Sequence, residues 1–354
     1  MDGQRRSAHH FGPRAGDPGG MASVIASYAE LPLEQFDLRF STTASIGSRF
    51  HSAEHLPGAT LALLGAAARR PRPVVHVHLA EGGSLLREGS LLRLARALGL
   101  PTVATMHAAH LDTVVREDRR RLTGVLRAAH VVHALGPRNA ELIAEATGRD
   151  DVVVVPNCVR VRPLCGTAGD RPPRALFAGE IGTRKGVDVL LAAWPAVRAA
   201  LPGAELLVLG PRREPALVRE LDGVTWGGEV SRERVLAELD RCRVAVLPSR
   251  LEAQPMFVLE AMVAGRPVVT TPIAEIPGTV ADTAGLVGVG DAGALAAALR
   301  THLRDPGHAT RTGLAERERA IARFSTTTVA RRVESLYDTA LDRAGADLLA
   351  VVRP

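Results

Sequence analysis

Short runs of β-branched and aliphatic residues alternate with longer stretches rich in Ala, Leu and Arg along most of the chain. The short runs are continuously apolar rather than alternating, which indicates strands covered on both faces, as in a parallel sheet. Strand–helix alternation over this length predicts doubly wound α/β domains. The predicted strands are Val74–His78, Thr102–Met106, Val131–Ala134, Val152–Val155, Ala175–Ala178, Glu205–Leu209, Val224–Trp226, Val244–Leu247 and Val268–Thr270.

One interruption divides this pattern into two halves. Pro and Gly break it over Val161–Arg174, and each half has its own series of strands and helices. We therefore predict two α/β domains that face one another across a cleft lined by the C-terminal ends of their strands. Ligands of open α/β sheets bind at such ends.

The start of the chain departs from the pattern. Gly19 and Gly20 precede a predicted helix at Ala22–Glu30, which is typical of a glycine-rich turn between a strand and a helix. No apolar strand is evident in residues 1–18, which we expect to be disordered. Either the first strand is degenerate or the true start lies upstream.

Composition narrows the class of protein. The chain has 354 residues, of which 46% are hydrophobic and 23% charged, as in soluble two-domain proteins and unlike disordered or collagen-like chains. It has no apolar run of the roughly 18 residues that span a membrane, and no secretory signal is visible. The cysteines are odd in number and lack zinc-site spacing, which suggests reduced thiols in the cytoplasm: Cys158, Cys165 and Cys242.

The excess positive charge lies in the first half. Residues 1–165 contain 20 Arg against 15 Asp and Glu, whereas the remainder contains 24 cations against 23 acids. The charge is concentrated at Arg116 and Arg119–Arg121. Aromatic residues are only 3% of the chain, which argues against nucleic-acid binding. A solvated helix face is favoured, and a contact with anionic lipid headgroups is the second option.

A phosphate-binding turn is predicted at Phe177–Gly186. There a strand leads into a loop with Gly179, Gly182 and Gly186, followed by a predicted helix. Glycines let the backbone approach a ligand, and a helix N-terminus offers free N–H groups and a positive dipole end. Arg184 and Lys185 add charge, and Lys185 is the only lysine among 44 cationic residues. An ordinary surface turn is the alternative.

The most informative segment is Pro248–Met262, where a strand feeds a loop that opens a helix. Glu252 lies in the loop and Glu260 lies about two turns into the helix. Glu252 can reach a ligand at the helix mouth, Glu260 can accept from two vicinal hydroxyls of a ribose, and the helix N-terminus can hold phosphate. By itself, however, this carboxylate spacing also occurs in solvated helices.

Other patterns carry weaker signals. Gly288–Gly293 matches the dinucleotide-binding GxGxxG spacing, but no second strand follows, so we interpret it as a turn that starts a helix. Three pairs of histidines invite a metal interpretation, but no carboxylate or cysteine accompanies them, and core or surface histidines are favoured. His107 directly follows a strand and is expected to point into the cleft. The pairs are His76 and His78, His107 and His110, and His130 and His133.

Taken in order, these motifs closely resemble the nucleotide-sugar-dependent glycosyltransferases of the GT-B fold, family 4 type. The segments are GEIGTRKG, VLG (Val208–Gly210), WGGEV (Trp226–Val230) and PSRLEAQPMFVLEAMVAGRPVV. In the first half the resemblance includes Gly19–Gly20, the VHVH strand, the ATMH segment ending at His107, and VVPN. It spans about residues 19–340.

The resemblance implies a domain plan and a reaction. Residues 19–165 would form the Rossmann-like acceptor domain and 166–318 the nucleotide-sugar domain. Residues 319–354 would hold the helix that crosses back to the first domain and the tail. Transfer would retain the anomeric configuration and would need no metal, because cationic side chains and helix dipoles replace it. The partners would be a nucleoside-diphosphate sugar and a carbohydrate or lipid-linked acceptor.

The resemblance also implies roles for individual residues. Lys185 would contact the diphosphate, Glu252 and the backbone of 253–257 the donor sugar and phosphates, and Glu260 the ribose. His107 would lie near the reacting centre on the acceptor side. The remaining candidate substrate-binding residues are Gly19, Gly20, Gly182, Gly228, Val230, Ala253, Gln254, Pro255, Met256 and Phe257.

Two positions depart from the family pattern. Glu180 stands where members often carry an Arg that accompanies the motif lysine, and Arg184 is our candidate substitute. Ala253 stands where the pattern prefers Gly. Two other function classes remain open at this point: a sugar-nucleotide epimerase of similar two-domain shape, and a non-catalytic relative that binds a nucleotide. The expected acceptor is a polysaccharide or lipid-linked glycan, with a secondary-metabolite scaffold second.

Overall fold

The computed structural model describes residues 5–17, 19–45 and 51–352. The chain divides into two compact units, of which unit 2 is Val159–Ser325. Unit 1 contains the chain up to Cys158 and the segment from Thr326 onward. The predicted boundaries, 165/166 and 318/319, therefore each lie seven residues from those of the contact-based units.

Unit 1 is a six-stranded parallel sheet in the order β2-β1-β3-β4-β5-β6 with helices around it. Its strands are β1 (Arg6–Pro13), β2 (Phe36–Ala44), β3 (Val74–Leu79), β4 (Thr102–Met106), β5 (Val131–Ala134) and β6 (Val153–Val154). Its helices are α1 (Gly20–Ala29), α2 (His51–Ala67), α3 (Gly83–Ala97), α4 (Leu111–Glu117), α5 (Arg119–Leu126) and α6 (Pro137–Thr147), and the last helix of the chain, α13 (Thr326–Val352).

Unit 2 repeats the architecture with five parallel strands in the order β11-β10-β7-β8-β9. Its strands are β7 (Arg174–Ala178), β8 (Glu205–Leu209), β9 (Val224–Gly228), β10 (Val244–Leu247) and β11 (Val268–Thr270). Its helices are α7 (Val187–Ala200), α8 (Arg232–Leu239), α9 (Met256–Val263), α10 (Ile276–Thr279), α11 (Ala292–Arg304) and α12 (Pro306–Phe324). The predicted doubly wound α/β organisation is confirmed, and the predicted strands agree with the observed ones to within two residues.

The prediction that residues 1–18 are disordered was wrong for the part that forms β1. Arg6–Pro13 is an inner strand, paired in parallel with both β2 and β3, and its residues from Ala8 onward are buried. It escaped detection because His9 and His10 occupy core positions, and a Gly–Pro ending is typical of a loop. β2 was not predicted either.

Helix α13 returns the chain to unit 1. It packs on β3, β4 and β5, and the side chain of Tyr337 is fully buried there. Glu334 accepts hydrogen bonds from the backbone N–H groups of Glu34 and Gln35 at 2.6 and 2.7 Å. The expected C-terminal helix that crosses back is thus present in unit 1, and it starts at Thr326.

In unit 2 the strand order reverses between β7 and β10, because the chain proceeds from β7 to β8 on one side and returns to β10 on the other. Such a switch point leaves a crevice outside the carboxyl ends of the two strands, where ligands of α/β sheets bind. Gly186 has φ +72°, and a Cβ on it would overlap the carbonyl oxygen of Pro248 after β10. The turn that connects β7 to α7 is therefore in direct contact with the residue that follows β10.

We expect Gly186→Ala to lower the free energy of unfolding of unit 2 by about 2–4 kcal/mol, because it adds both a strained left-handed residue and a steric overlap. Both tryptophans, Trp194 and Trp226, lie in unit 2, so urea unfolding followed by tryptophan fluorescence reports on this unit.

Gly203→Ala is the matched control, since a Cβ there would meet no atom within 4 Å. It should leave the urea midpoint nearly unchanged. Equal midpoints for the two variants would contradict the packing of the glycine turn described here.

Candidate active site

The predicted phosphate-binding turn follows β7 at the switch point of unit 2. After Gly179 the chain forms a 3-10 turn over Thr183–Lys185, which ends at Gly186 where α7 begins. The carboxylate of Glu214 accepts from the backbone N–H and the hydroxyl of Thr183, both at 2.9 Å. The same carboxylate lies against Gly182, where a Cβ would approach it to 3.0 Å. Glu214 thus holds the turn through its contacts with Gly182 and Thr183.

Lys185 and Glu252 come together at this point. The ammonium of Lys185 makes a short ion pair with Oε1 of Glu252, and the hydroxyl of Ser249 donates to the same oxygen at 2.8 Å. Both side chains are largely buried, with 15% and 8% exposed. Two residues that lie 67 positions apart therefore meet at the carboxyl ends of β7 and β10.

A second link between the two strand ends was not predicted from the sequence. Arg250 makes a bidentate ion pair with Asp188, with both N–O distances at 2.7 Å, and it also donates to the carbonyl of Thr183. Its backbone N–H donates to the carbonyl of Arg184 at 2.9 Å. The Arg250 side chain lowers the pKa of the Asp188 carboxyl below its usual range. Arg250 thereby connects the loop after β10 both to the Thr183–Lys185 turn and to Asp188 in the first turn of α7.

The acidic departure from the family pattern is compensated locally. Oε2 of Glu180 lies 3.5 Å from Nη2 of Arg184 and 4.0 Å from Nε of Arg213. Arg184 also reaches the carbonyl of Leu251 at 3.5 Å. Arg184 is thus near the β10 loop, but its ionic partner is Glu180. Its role as a substitute for the family arginine stays a prediction.

The segment after Glu252 is buried throughout, from Ala253 to Glu260. Helix α9 begins at Met256, directly after Pro255, and no side chain caps its N-terminus. The carbonyl of Ala253 accepts from the N–H of Glu275 at 3.4 Å, and Gln254 donates to the hydroxyl of Thr279 at 3.3 Å. Met256 and Phe257 supply the first N–H groups of the helix. The predicted helix mouth is therefore present and supported by the α10 region.

Glu260 lies on α9 beside the start of α8. Its Oε1 accepts from Nε of Arg232 at 2.7 Å, and its side chain is only 7% exposed. The segment from Gly228 to Val230 leads directly into α8, and Gly228 has φ +70° and accepts at its carbonyl from the N–H of Gly210. The structure thus brings Gly228 and Val230 to the side of α9 that carries Glu260. Arg232 was not identified from the sequence.

The candidate residues of unit 1 lie on other elements. Gly19 precedes α1 with φ +130°, and Gly20 is the first residue of that helix. Both are exposed and follow β1, as a strand-to-helix turn requires. His107 follows β4 and donates its backbone N–H to the carbonyl of Leu79 at the end of β3. These positions agree with the sequence prediction, and the substrate-binding and catalytic roles of the residues stay predictions.

Five histidines of unit 1 belong to one hydrogen-bonded series, which we call the histidine array. Its members share one face of the sheet on β1, β3, β4 and β5, with Tyr337 added from α13. From one end to the other they are His107, His78, His10, Tyr337, His76, Thr105 and His133. Successive N and O atoms lie 2.6–3.1 Å apart, and Nε2 of His133 ends the series 2.6 Å from the carbonyl oxygen of Val155.

Burial keeps the imidazoles of the array uncharged. It lowers the pKa of His10 to about 3 and that of His133 to about 4, and the pKa values of His76, His78 and His107 fall well below 6.5. The expected shared face of His76 and His78 is confirmed, since their rings stack with centroids 4.5 Å apart. Core or surface positions were favoured for both over metal ligation, and both are fully buried.

Two groups among the described residues place three potential metal ligands close together. One is His10, His76 and His78, in which His10 bonds to His78, and both His10 and His76 bond to Tyr337. The other is Asp282, His302 and His308 in unit 2, where burial lowers the pKa of His302 to about 4. The second group lies on α11, α12 and the segment before them. The expectation that no metal is needed stays a prediction.

The other sequence patterns resolve into ordinary structure. The GxGxxG-like segment is a turn in which Asp291 caps α11 by accepting from the N–H of Ala294 at 2.8 Å. On α5 the basic residues face outward: Arg119 donates to backbone carbonyls of α6, and Arg121 pairs with Asp118. Within the part of the chain that is described, no helix has the length and apolar character needed to cross a bilayer.

Comparison with known families gives a match within unit 2. The family model described as "Glycosyl transferases group 1" matches residues 172–305. The glycogen synthase of Mycobacterium tuberculosis H37Rv is 29% identical over 295 residues, which cover 75% of this chain and 68% of that protein. The phosphatidyl-myo-inositol mannosyltransferase of Mycolicibacterium smegmatis is 31% identical over 286 residues, 75% of this chain and 71% of that protein.

Solved structures agree on the fold. A sucrose-phosphate synthase from Thermosynechococcus elongatus superposes with a TM-score of 0.76 at 22% identity, covering 95% of this chain and all of that one. Anabaena Alr3699/HepE, solved with UDP and glucose, gives 0.72 at 16% identity and covers 94% and 99%. Both units therefore have the Rossmann-like architecture of the GT-B fold.

The histidine array predicts that acid destabilises unit 1 more than unit 2. Unfolded histidines bind protons below about pH 6.5, whereas burial lowers the pKa of His10 to about 3 and of His133 to about 4, and lowers the pKa values of the other three histidines of the array as well. The unfolded state therefore gains protons first, and stability falls as pH drops through this range, by up to about 1.4 kcal/mol per pH unit for each histidine.

Urea unfolding at pH 7.5 and 5.0 measures the effect. Pulsed proteolysis with mass spectrometry of unit 1 peptides reports on the array, and tryptophan fluorescence reports on unit 2, which has only two histidines in its sequence. We expect the urea midpoint of unit 1 to fall distinctly more than that of unit 2 when the pH is lowered from 7.5 to 5.0. Equal shifts in the two units would mean that the array does not stay neutral in the folded protein.

Proposed function

Because the chain belongs to the group 1 glycosyltransferases and is an enzyme of that class, we propose that it transfers a sugar from a nucleoside-diphosphate donor to an acceptor hydroxyl with retention of configuration. The proposal rests chiefly on one observation. A cationic glycine turn after β7 and a carboxylate-flanked helix mouth after β10 meet at the switch point of unit 2, where Lys185 contacts Glu252.

The turn and the helix mouth supply complementary groups for an activated sugar. An ammonium has three N–H donors, so Lys185 can bond to Glu252 and still donate to oxygens of a diphosphate. The first N–H groups of α9, at Met256 and Phe257, carry the positive end of the helix dipole, which favours phosphate. Glu252, held by Ser249, is positioned to accept from hydroxyls of the donor sugar. Gln254 and Pro255 shape the approach.

Glu260 is our candidate for ribose recognition. A carboxylate offers about four lone pairs, so the bond from Arg232 to Oε1 leaves capacity for two vicinal hydroxyls. Arg232 lies two residues after Val230, so its contact with Glu260 supports the proposal that the Gly228–Val230 segment binds the base beside the ribose. Arg232 would act by positioning Glu260.

The proposed chemistry needs no protein nucleophile. The bond between the anomeric carbon and the phosphate oxygen breaks, and a bond from that carbon to the acceptor oxygen forms on the same face. The acceptor proton passes to the leaving phosphate. Lys185 and the α9 N-terminus would stabilise the charge that develops on that phosphate, and positioning of the two substrates would supply much of the remainder.

The acceptor class follows from the relatives rather than from the site. A glycogen synthase and a phosphatidyl-myo-inositol mannosyltransferase are among them, so we propose a glycan or glycolipid acceptor, with a secondary-metabolite scaffold second. HepE was solved with UDP, which makes UDP-sugars the first donors to test. We place the reaction in the cytoplasm, with the basic face near Arg116 and Arg119 as a candidate contact with the membrane.

A donor panel tests the proposal directly. Thermal-shift measurements with UDP-, GDP-, dTDP- and ADP-sugars should reveal one preferred donor without added metal. Incubation of that donor with and without a glycan or lipid extract, with the product anomer assigned by NMR, separates transfer from epimerisation. Conversion of the donor alone to an epimer, or an inverted product, would refute the proposed reaction.

We expect Lys185→Ala to lower kcat by about 100-fold or more, because it removes a donor aimed at the leaving phosphate in a buried site. Steady-state rates with the preferred donor measure this. Arg219→Ala is the control, since it removes an exposed cation from the same unit. Wild-type rates in Lys185→Ala would remove this residue from the mechanism.

We expect Glu260→Gln to weaken donor binding about tenfold with little change in kcat, because a ribose hydroxyl loses a charged acceptor. Titration calorimetry with the nucleoside diphosphate and its 2′-deoxy analogue measures the effect. The penalty should shrink with the deoxy analogue. Glu233→Gln, at an exposed position of α8, should leave both affinities unchanged, and an undiminished penalty with the analogue would refute the ribose role.

A further inference from the structure

A single backbone carbonyl fixes the direction of every hydrogen bond in the histidine array. A carbonyl oxygen can only accept, so Nε2 of His133 must carry a hydrogen and donate to Val155. In a neutral imidazole the other nitrogen is then an acceptor. Nδ1 of His133 must therefore accept from the hydroxyl of Thr105, which lies 2.6 Å away.

The same logic passes along the array one residue at a time. The hydroxyl of Thr105 donates its only hydrogen to His133, so toward His76 it must accept, from Nε2 at 2.6 Å. Nδ1 of His76 then accepts from the hydroxyl of Tyr337 at 3.1 Å, and Tyr337 accepts from Nε2 of His10 at 2.8 Å. Each step leaves no choice of donor, because every member has one hydrogen and one accepting site for the array.

The series ends at His107. Nδ1 of His10 accepts from Nε2 of His78 at 2.9 Å, and Nδ1 of His78 accepts from Nε2 of His107 at 2.9 Å. The hydrogen of His107 is thus on Nε2, directed into the protein. Its Nδ1 carries the lone pair.

Reversing any member creates a fault that burial makes costly. If His76 turned its hydrogen toward Tyr337, two lone pairs would face each other across 2.6 Å at Thr105 or one imidazole would need a second proton. His10, His76, His78, His133 and Tyr337 are all at most 1% exposed, so no water compensates such a fault. One arrangement of hydrogens satisfies every bond with neutral groups.

We propose that the histidine array locks His107 in the tautomer with Nε2 protonated, so that Nδ1 accepts a hydrogen bond from a saccharide hydroxyl during transfer. This rests on the proposed function. His78, His10, Tyr337, His76, Thr105 and His133 act as positioning residues in this scheme. They never touch the substrate, but they decide which nitrogen of His107 donates and which accepts.

The lock has a chemical consequence for the ligand. An accepting Nδ1 can bind only a group that brings its own hydrogen, such as a hydroxyl. It repels phosphate and carboxylate oxygens, which have only lone pairs to offer. His107 would therefore select a sugar hydroxyl and would have no part in holding the diphosphate.

Thr105 offers the sharpest test, because one substitution removes only its hydroxyl and another keeps the hydroxyl while it removes the methyl group. Thr105→Val keeps the branched shape but cuts the array from the Val155 carbonyl. Thr105→Ser keeps the hydroxyl. Tyr337→Phe cuts the array at a second point. His9→Gln is a matched control, since His9 lies on the same strand as His10 but bonds to Ser41 outside the array.

The direct readout is the tautomer of His107 in the full-length protein labelled with 15N-histidine. Two-bond 1H–15N correlation spectra distinguish protonated from unprotonated ring nitrogens, and His107→Gln assigns the signal. We expect wild type, Thr105→Ser and His9→Gln to show Nε2 protonated. Thr105→Val and Tyr337→Phe should show a mixture of tautomers.

The second readout is transfer with the preferred donor. Thr105→Val should lower kcat about threefold to tenfold, in proportion to the lost tautomer and the loss of one hydrogen bond, and Thr105→Ser should restore it. Nδ1 protonated in wild-type His107, or an unchanged tautomer in both Thr105→Val and Tyr337→Phe, would overturn the lock. Altered tautomers with unchanged kcat would overturn its role in transfer.

These outcomes are distinguishable from a failure of the proposed function. The spectra need no substrate, so a protein that transferred no sugar from any donor would still show whether the array sets the tautomer. In that case the role of His107 toward a saccharide would be refuted together with the proposed reaction.

Discussion

The contact between Gly186 and the Pro248 carbonyl is the constraint on which the candidate site depends. It brings the turn before α7 and the residue after β10 so close that no side chain fits between them. The ion pair of Lys185 with Glu252 and the bonds from Arg250 to Asp188 then form across this contact. The candidate site of unit 2 thus lies where the strand order of the sheet reverses. The glycine at position 186 allows the two segments that carry it to approach closely.

The sequence predicted unit 2 well because its chemistry is local. The turn at Gly182–Gly186 and the loop and helix at Glu252–Glu260 are each continuous, and each follows an apolar strand. Arg232 and Arg250 were missed for the opposite reason. Arg232 pairs with a carboxylate 28 positions away, and Arg250 pairs with one 62 positions away. In a chain so rich in arginine, such a long-range pairing leaves no local sequence pattern.

Unit 1 was harder to predict because its interior is partly polar. His9 and His10 on β1 look like solvent-exposed positions in the sequence, and the hydrophobic pattern that marks a strand is absent there. In the structure, His10 is buried because another imidazole and a phenol satisfy both of its ring nitrogens. Hydrogen-bonded polar residues can replace aliphatic ones in a core when the bonds are complete. The expectation of disorder failed because such completeness depends on residues far along the chain.

The position of Tyr337 has a consequence for biosynthesis. It bonds to His10, which lies 327 positions earlier in the chain, so β1 is synthesised long before α13. The strands of unit 1 are all synthesised before α13, so the middle of the array lacks its phenol until α13 has been made. In a polypeptide that ends before Tyr337, His10 and His76 would therefore lack the hydroxyl that connects them, and the hydrogen-bonded series would be interrupted in its middle.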